Sequence, residues 1–329
     1  MKTLCIMGLV PFALVLSAAP AGPGDPLRLV QTIPLPGVEG RIDHFSVDLD
    51  GARLFVAALA NNTVEVVDLE AGQDIASIGG FSEPQGVAYV PGSDKLFVAN
   101  GGDGTVDSFD GTTFDLLNVT PFADDADNLR YDAAADQLYV GYGRGALGIL
   151  DATSEELVGD IPLAGHPESF QLERFGPRLF VNVPAAQRIQ VVDREQGVVV
   201  DNWPVPVGGN FPMALDEDNQ RLFVAARSPA QLLVYDTSSG DLVAQLDCAG
   251  DADDVFYDAL TGRIYVSGGA GFISVFQQDD ADQYQLIVNI PTAAGARTSL
   301  FVPEFNRLYL AVPHLGAQAA EIWVYEVQP

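Results

Sequence analysis

RLFVA at residues 53–57 returns as KLFVA at 95–99, QLYVG at 137–141, RLFVN at 178–182, RLFVA at 221–225, RIYVS at 263–267 and RLYLA at 307–311. The second positions, Leu54, Leu96, Leu138, Leu179, Leu222, Ile264 and Leu308, are separated by 42, 42, 41, 43, 42 and 44 residues. A self-similar period of that length is the signature of a four-stranded propeller blade, so the chain is expected to be an all-β, seven-bladed β-propeller.

Around each motif the sequence supplies three more strands. In the first repeat, Phe45–Asp48 precedes the motif as an inner strand A, and the motif is strand B. The β-branched run Thr63–Val67 follows as strand C and closes with Asp68, and Asp74–Ile78 is a weaker strand D. Alternation and enrichment in Val, Phe, Tyr and Leu favour strands over helices. Asp68 to Gly72, Asp193 to Gly197 and Asp236 to Gly240 each put Asp at a strand end and Gly four residues later, which is turn chemistry. The seventh repeat stops after its third strand, Glu321–Tyr325, whereas the segment Leu27–Leu35 has no repeat of its own. The N-terminal strand is therefore expected to complete the last blade and leave no open edge.

The R-L-[FY]-V-A strands, their period and the Asp-x-x-x-Gly turns resemble the YVTN-repeat, YncE-like family of secreted bacterial propellers, over residues 27–329. The resemblance implies the fold. For function it implies a range, since similar propellers include lactonases, lyases, the heavy chains of quinoprotein dehydrogenases and non-catalytic scaffolds.

Lys2, the apolar run Leu4–Ala18 and the small-x-small sequence Ala19-Pro20-Ala21 read as a signal peptide over residues 1–21. That leaves 22–329 as one propeller domain, periplasmic or extracellular. The apolar run is short for a membrane span and contains Pro11. Cys5 lies in the signal, so Cys248 stands alone in the mature chain and reads as a buried thiol, not a disulfide partner.

With 45 Asp and Glu against 16 Lys and Arg, the formal net charge is −29. Such a surface repels phosphate backbones, which argues against nucleic acid, and favours cations. It serves equally as a solubility device in salty surroundings.

Propeller geometry puts the D-to-A and B-to-C connections on one face, around the mouth of the central channel. The residues just before each A strand are where the repeats stop resembling one another. They collect Asp43, His44, Asp127, Asn128, Glu168, Asp253 and Asp254, with Arg297 as the clearest cation. One expectation is a ring of oxygens, with Asp127, Asp253 and Asp254 holding a divalent cation such as Ca²⁺ or Mg²⁺. Crowded carboxylates also raise one another's pKa, a route to acid–base chemistry. The other reading makes them turn formers leading into strands. All three histidines fall on this face. His44 and His166 are candidates for acid–base roles, whereas Asp43, Asn128, Glu168, Arg297 and His314 are candidate ligand contacts. A Cys-x-x-Cys-His haem motif, a P-loop and a Gly-x-Ser-x-Gly elbow are all absent, and the Gly-rich runs 101–104 and 268–271 occupy hairpin positions.

The leading functional expectation is a non-catalytic propeller binding a small polar molecule or cation at the channel mouth. The alternatives are a metal-assisted hydrolase or lyase acting on a lactone or sugar acid, and a scaffold for another protein.

Overall fold

A computed structural model describes residues 24–329. The expected signal segment lies outside these residues. Seven four-stranded antiparallel sheets make up the described chain, so the molecule is a seven-bladed β-propeller. Blade 1 is β2(Phe45–Asp48), β3(Arg53–Ala58), β4(Thr63–Asp68) and β5(Gln73–Gly79). The pattern repeats through blade 6, β22(Ala252–Asp258) to β25(Gln283–Pro291). Blade 7 combines β26(Ser299–Val302), β27(Arg307–Val312) and β28(Glu321–Val327) with β1(Leu27–Pro34).

The repeated motif is explained by where the core lies. Each B strand is buried on both faces, and each hydrophobic cluster sits between two adjacent blades. Phe55 and Ala57 of blade 1 pack against Leu96 and Val98 of blade 2. Leu54 and Val56, on the other face of the same strand, pack with Tyr309 and Ala311 of blade 7. Thus Leu and Val at positions two and four meet the preceding blade, and the aromatic and the small residue meet the following one. The period-2 geometry of a strand makes one pentapeptide serve both interfaces. The small fifth residue leaves room for its neighbour, except in blade 4. There Asn182 is fully buried and donates from Nδ2 to the carbonyls of Phe211 and Pro212 at 2.9 and 3.2 Å.

The Asp-x-x-x-Gly turns close as expected. Asp68 Oδ1 accepts from the amides of Glu70 and Ala71, and Gly72, at φ +65°, donates its amide to the Asp68 carbonyl. Asp193 and Asp236 build the same turn with Gly197 and Gly240.

The N-terminal strand closes the ring. β1 pairs antiparallel with β28 from Leu27↔Val327 to Pro34↔Glu321, with a bulge between Leu29 and Gln31. Leu27 and Ile33 are fully buried, and the Gln328 amide donates to the Pro26 carbonyl at 2.9 Å.

Candidate functional site at the channel mouth

The A strands enter the ring through irregular starts. Register shifts fall between Pro84 and Val87, Ala126 and Leu129, Asn210 and Met213, and Ala252 and Asp254. A bulge at this point re-aims the side chains it releases from the ladder. The residues released include Gln85, Asp127, Phe211 and Asp253, and all four line the mouth. Just upstream, Glu83, Asp125 and Asp251 adopt φ of +53°, +40° and +55°. Left-handed backbone of this kind suits Asp. The turn-former reading therefore accounts for Asp125 and Asp251, whereas Asp127 and Asp253 are side chains turned into a cavity.

That cavity, of about 220 Å³, is lined by Arg41, Asp43 and His44 from blade 1, Gln85, Asp125, Asp127, His166 and Glu168 from blades 2 to 4, and Phe211, Arg227, Asp253 and Arg297 from blades 5 to 7. Its two halves differ. On the side of blades 5, 6, 7 and 1, charge is matched internally. Asp253 is ion-paired with Arg227, with Arg297 Nε at 2.9 Å and with Arg41 at 3.8 Å. Arg297 also holds Asp251 at 3.0 Å, Arg41 holds Asp43 at 2.7 Å, and the Arg227 guanidinium lies 3.9 Å from the Phe211 ring centre. Guanidinium suits such stacked and forked contacts.

The side formed by blades 3 and 4 is under-compensated. His166 lies 3.7 Å from Asp125 and, through Nε2, 3.5 Å from Asp127, and its Nδ1 donates to the Gly143 carbonyl at 2.6 Å; Arg227 and Arg130 act on Glu168 and Asp127 only at longer range. Burial opposes charge on His166, yet these acceptors, with Asp125, push its pKa up to about 9. Burial, with Asp127 repulsion behind it, pushes Glu168 up to about 7. Burial likewise pushes Asp43 up to about 6, against the pull of His44 and Arg41. Crowding of carboxylates does raise these pKa values, with burial the larger cause.

Consecutive candidates line different cavities. Asp253 and Asp127 line the mouth, whereas Asp254 and Asn128 line a second chamber, and His44 stands in both walls. Asn128 Nδ2 and His44 Nε2 are in hydrogen-bond contact at 3.1 Å; burial opposes charge on His44, yet Asp43 and Asp254 raise its pKa above the ordinary value. Asp254 accepts the Ser299 amide at 2.7 Å, and burial pushes its carboxyl up to about 7.

Two of the expected groupings are placed apart. His314 pairs with Glu39 at 2.7 Å and lines neither the mouth nor the chamber. The oxygens of Asp127, Asp253 and Asp254 are not gathered as a ligand set for Ca²⁺ or Mg²⁺. Asp253 is engaged by arginines and Asp254 faces the second chamber. Among the described residues no three His, Cys, Asp or Glu side chains are placed to hold an ion. Sequence reading missed Arg41, Arg227 and Arg130. Arg227 is the last residue but one of a B strand, β19(Arg221–Ser228), and its position on the same face was the available signal. Cys248 is partly buried, and burial pushes its thiol up to about 12. No helix among the described residues is long and apolar enough to cross a membrane.

No family model matches the chain, and no curated protein matches it. Solved structures do. A chain of Kuenenia stuttgartiensis hydrazine synthase superposes with a TM-score of 0.72 at 16% identity, over 84% of this chain and 95% of that one. A chain of a mitotic checkpoint complex gives 0.76 at 15% identity over 98% and 100%, and U3-55K gives 0.78 at 12% over 90% and 98%. At these identities the likeness is one of fold: the chain shares the propeller architecture with proteins of unlike roles.

Proposed function

We propose that the chain is an exported, non-catalytic binding propeller of the YVTN-repeat, YncE-like kind, which takes a small polar ligand at the channel mouth through a cationic group. The observation that carries this reading is the imbalance on blades 3 and 4. Asp127 and Glu168 face a cavity in which His166 lies beside Asp127 and no arginine is ion-paired with either carboxylate among the described residues, while the arginines opposite are already paired. A buried carboxylate without a matched cation gains most from a donor that brings positive charge, and burial pushes the Glu168 pKa up to about 7. An organic ammonium or guanidinium meets that need better than a metal ion, because the carboxylates are not clustered around one point. The hydrolase or lyase alternative draws less support. His166 is held as an imidazolium at neutral pH, and the Nε2 atom of His44 is occupied by Asn128.

Thermal unfolding and calorimetric titration with n-pentylamine, beside Ca²⁺ and Mg²⁺ controls, test the reading. Pentylamine should raise Tm, and Asp127→Asn with Glu168→Gln should weaken binding about tenfold or more. An amine that does not bind, or that binds the double variant equally well, overturns it.

A further inference from the structure

The second chamber, of about 280 Å³, is walled by the inner strands of the blades. Its charged side chains are His44, Asp254 and Arg130. Arg130, on β10(Ala126–Asp132), is half-buried in a chain that has only 16 Lys and Arg in total. Its Nη1 donates to Asn128 Oδ1 at 2.5 Å and to the Leu129 carbonyl at 2.7 Å. Its other edge, Nε and Nη2, makes no hydrogen bond among the described residues, and Asp254 and Asp127 act on it only at longer range. The mouth arginines are ion-paired; this one is not.

The Nε–Nη2 edge is a planar fork that matches a carboxylate with two parallel hydrogen bonds. Asn128 and the Phe170 ring, whose centre lies 5.7 Å from the Arg130 guanidinium carbon, hold the group in place. Polar residues of the same wall, Ser169 and Gln171, add to a lining that suits a polar guest. Asp254 would repel an anion, but burial leaves its carboxyl partly protonated near neutrality. The mouth and the chamber share His44 as a wall residue.

We propose that this chamber is a second binding compartment, in which Arg130 receives the carboxylate end of a bipolar ligand whose cationic group sits at the mouth. The bipolar part of the proposal rests on the mouth reading; the carboxylate site does not. The ligand class is a short ω-amino acid or a similar molecule with one positive and one negative end.

The probes are 5-aminovalerate, n-pentylamine and valerate, titrated calorimetrically into the full chain and into Arg130→Gln and Arg130→Lys, with Tm checked for each variant. In the native chain 5-aminovalerate should bind about tenfold or more tightly than pentylamine. Arg130→Gln should abolish that advantage and leave pentylamine binding unchanged. Arg130→Lys, which keeps the charge and loses the fork, should reduce it and serves alone if the Gln variant does not fold. Equal affinity for the two amines, or an advantage unchanged in either variant, overturns the chamber site. If pentylamine fails to bind, the mouth reading falls separately, and the chamber is judged on valerate: binding lost in the Arg130 variants supports it, and no binding overturns it.

Discussion

Asp253 and Asp254 are neighbours in the chain and serve different compartments, because a bulge turns one into the mouth and the other into the chamber. Their residue types were legible in the sequence. Which of the two faced the mouth was not, since a one-residue shift in register reverses a strand's faces. The same limit hid Arg130: its motif position is ordinary, and only the packed ring shows that its outer edge is unpaired. Titration follows from this burial. Asp43, Glu168 and Asp254 have ordinary values of 3.8, 4.5 and 3.8 and are pushed up to about 6, 7 and 7. The folded state keeps protons that the unfolded chain releases, so the stability they contribute is present at low pH and is lost as pH rises through 6 to 7. His166, raised from 6.5 to about 9, has the same sign: its contribution is full below 6.5 and is lost as pH rises through 9. Tm should therefore fall between roughly pH 4 and 9. Glu168→Gln should flatten the lower part of that fall and His166→Gln the upper part. Variant curves parallel to the native one would show that these groups do not govern it.

The basic residue that opens each repeat has a role that only the assembled elements reveal. Arg53 of blade 1 donates to the Gly111 carbonyl of blade 2 at 2.6 Å, and Lys95 of blade 2 to the Thr153 carbonyl of blade 3 at 2.9 Å. Arg178, Arg221 and Arg263 reach in the same way to Thr237, Ala281 and Gln328, so each latches its blade to the next one's outer turn or end. Blade 3 has Gln137 at this position, and the latch there is reversed: Arg194 of blade 4 reaches back to pair with Asp132. Strand order and blade count were legible because they depend on a local period. The latches were not, because their partners lie 58 to 65 residues away and no pattern in the repeat names them. Arg221 is 8% exposed and also pairs with the partly exposed Asp236 and the exposed Asp282, so Arg221→Ala removes a buried guanidinium together with its charged hydrogen bonds and its latch to Ala281. It should cost about 2 kcal/mol. Arg307 makes no such latch; it pairs with Glu326 of its own blade at 3.2 Å and is partly exposed. Arg307→Ala should cost at most about 1 kcal/mol. Urea unfolding of the two variants reads the difference, and equal losses would mean that the inter-blade latch adds nothing beyond an ordinary surface pair.

At the scale of the whole molecule, the ring depends on a junction between its two ends. Six blades fold from continuous sequence, whereas the seventh must recruit β1 from the far end of the chain. Leu27 and Ile33 are fully buried there, each contributing about 1.5–3 kcal/mol. Without β1, β28 would become an open edge, free to pair with another copy. A chain beginning at Pro36 should therefore lose several kcal/mol of stability and associate in a concentration-dependent way. The same geometry offers a rescue. Gln328 and Pro26 are already hydrogen-bonded, and β1 runs antiparallel to β28. Moving residues 26–35 behind Pro329 through a short turn converts the closure into an ordinary C-to-D hairpin like those of the other six blades. That permuted chain should be monomeric and regain most of the lost stability, as read by Tm and light scattering. If it stays as unstable as the truncation, what matters is the order in which the ends arrive during folding; if the truncation is itself stable and monomeric, the closing strand is dispensable and the inter-blade cores alone hold the ring.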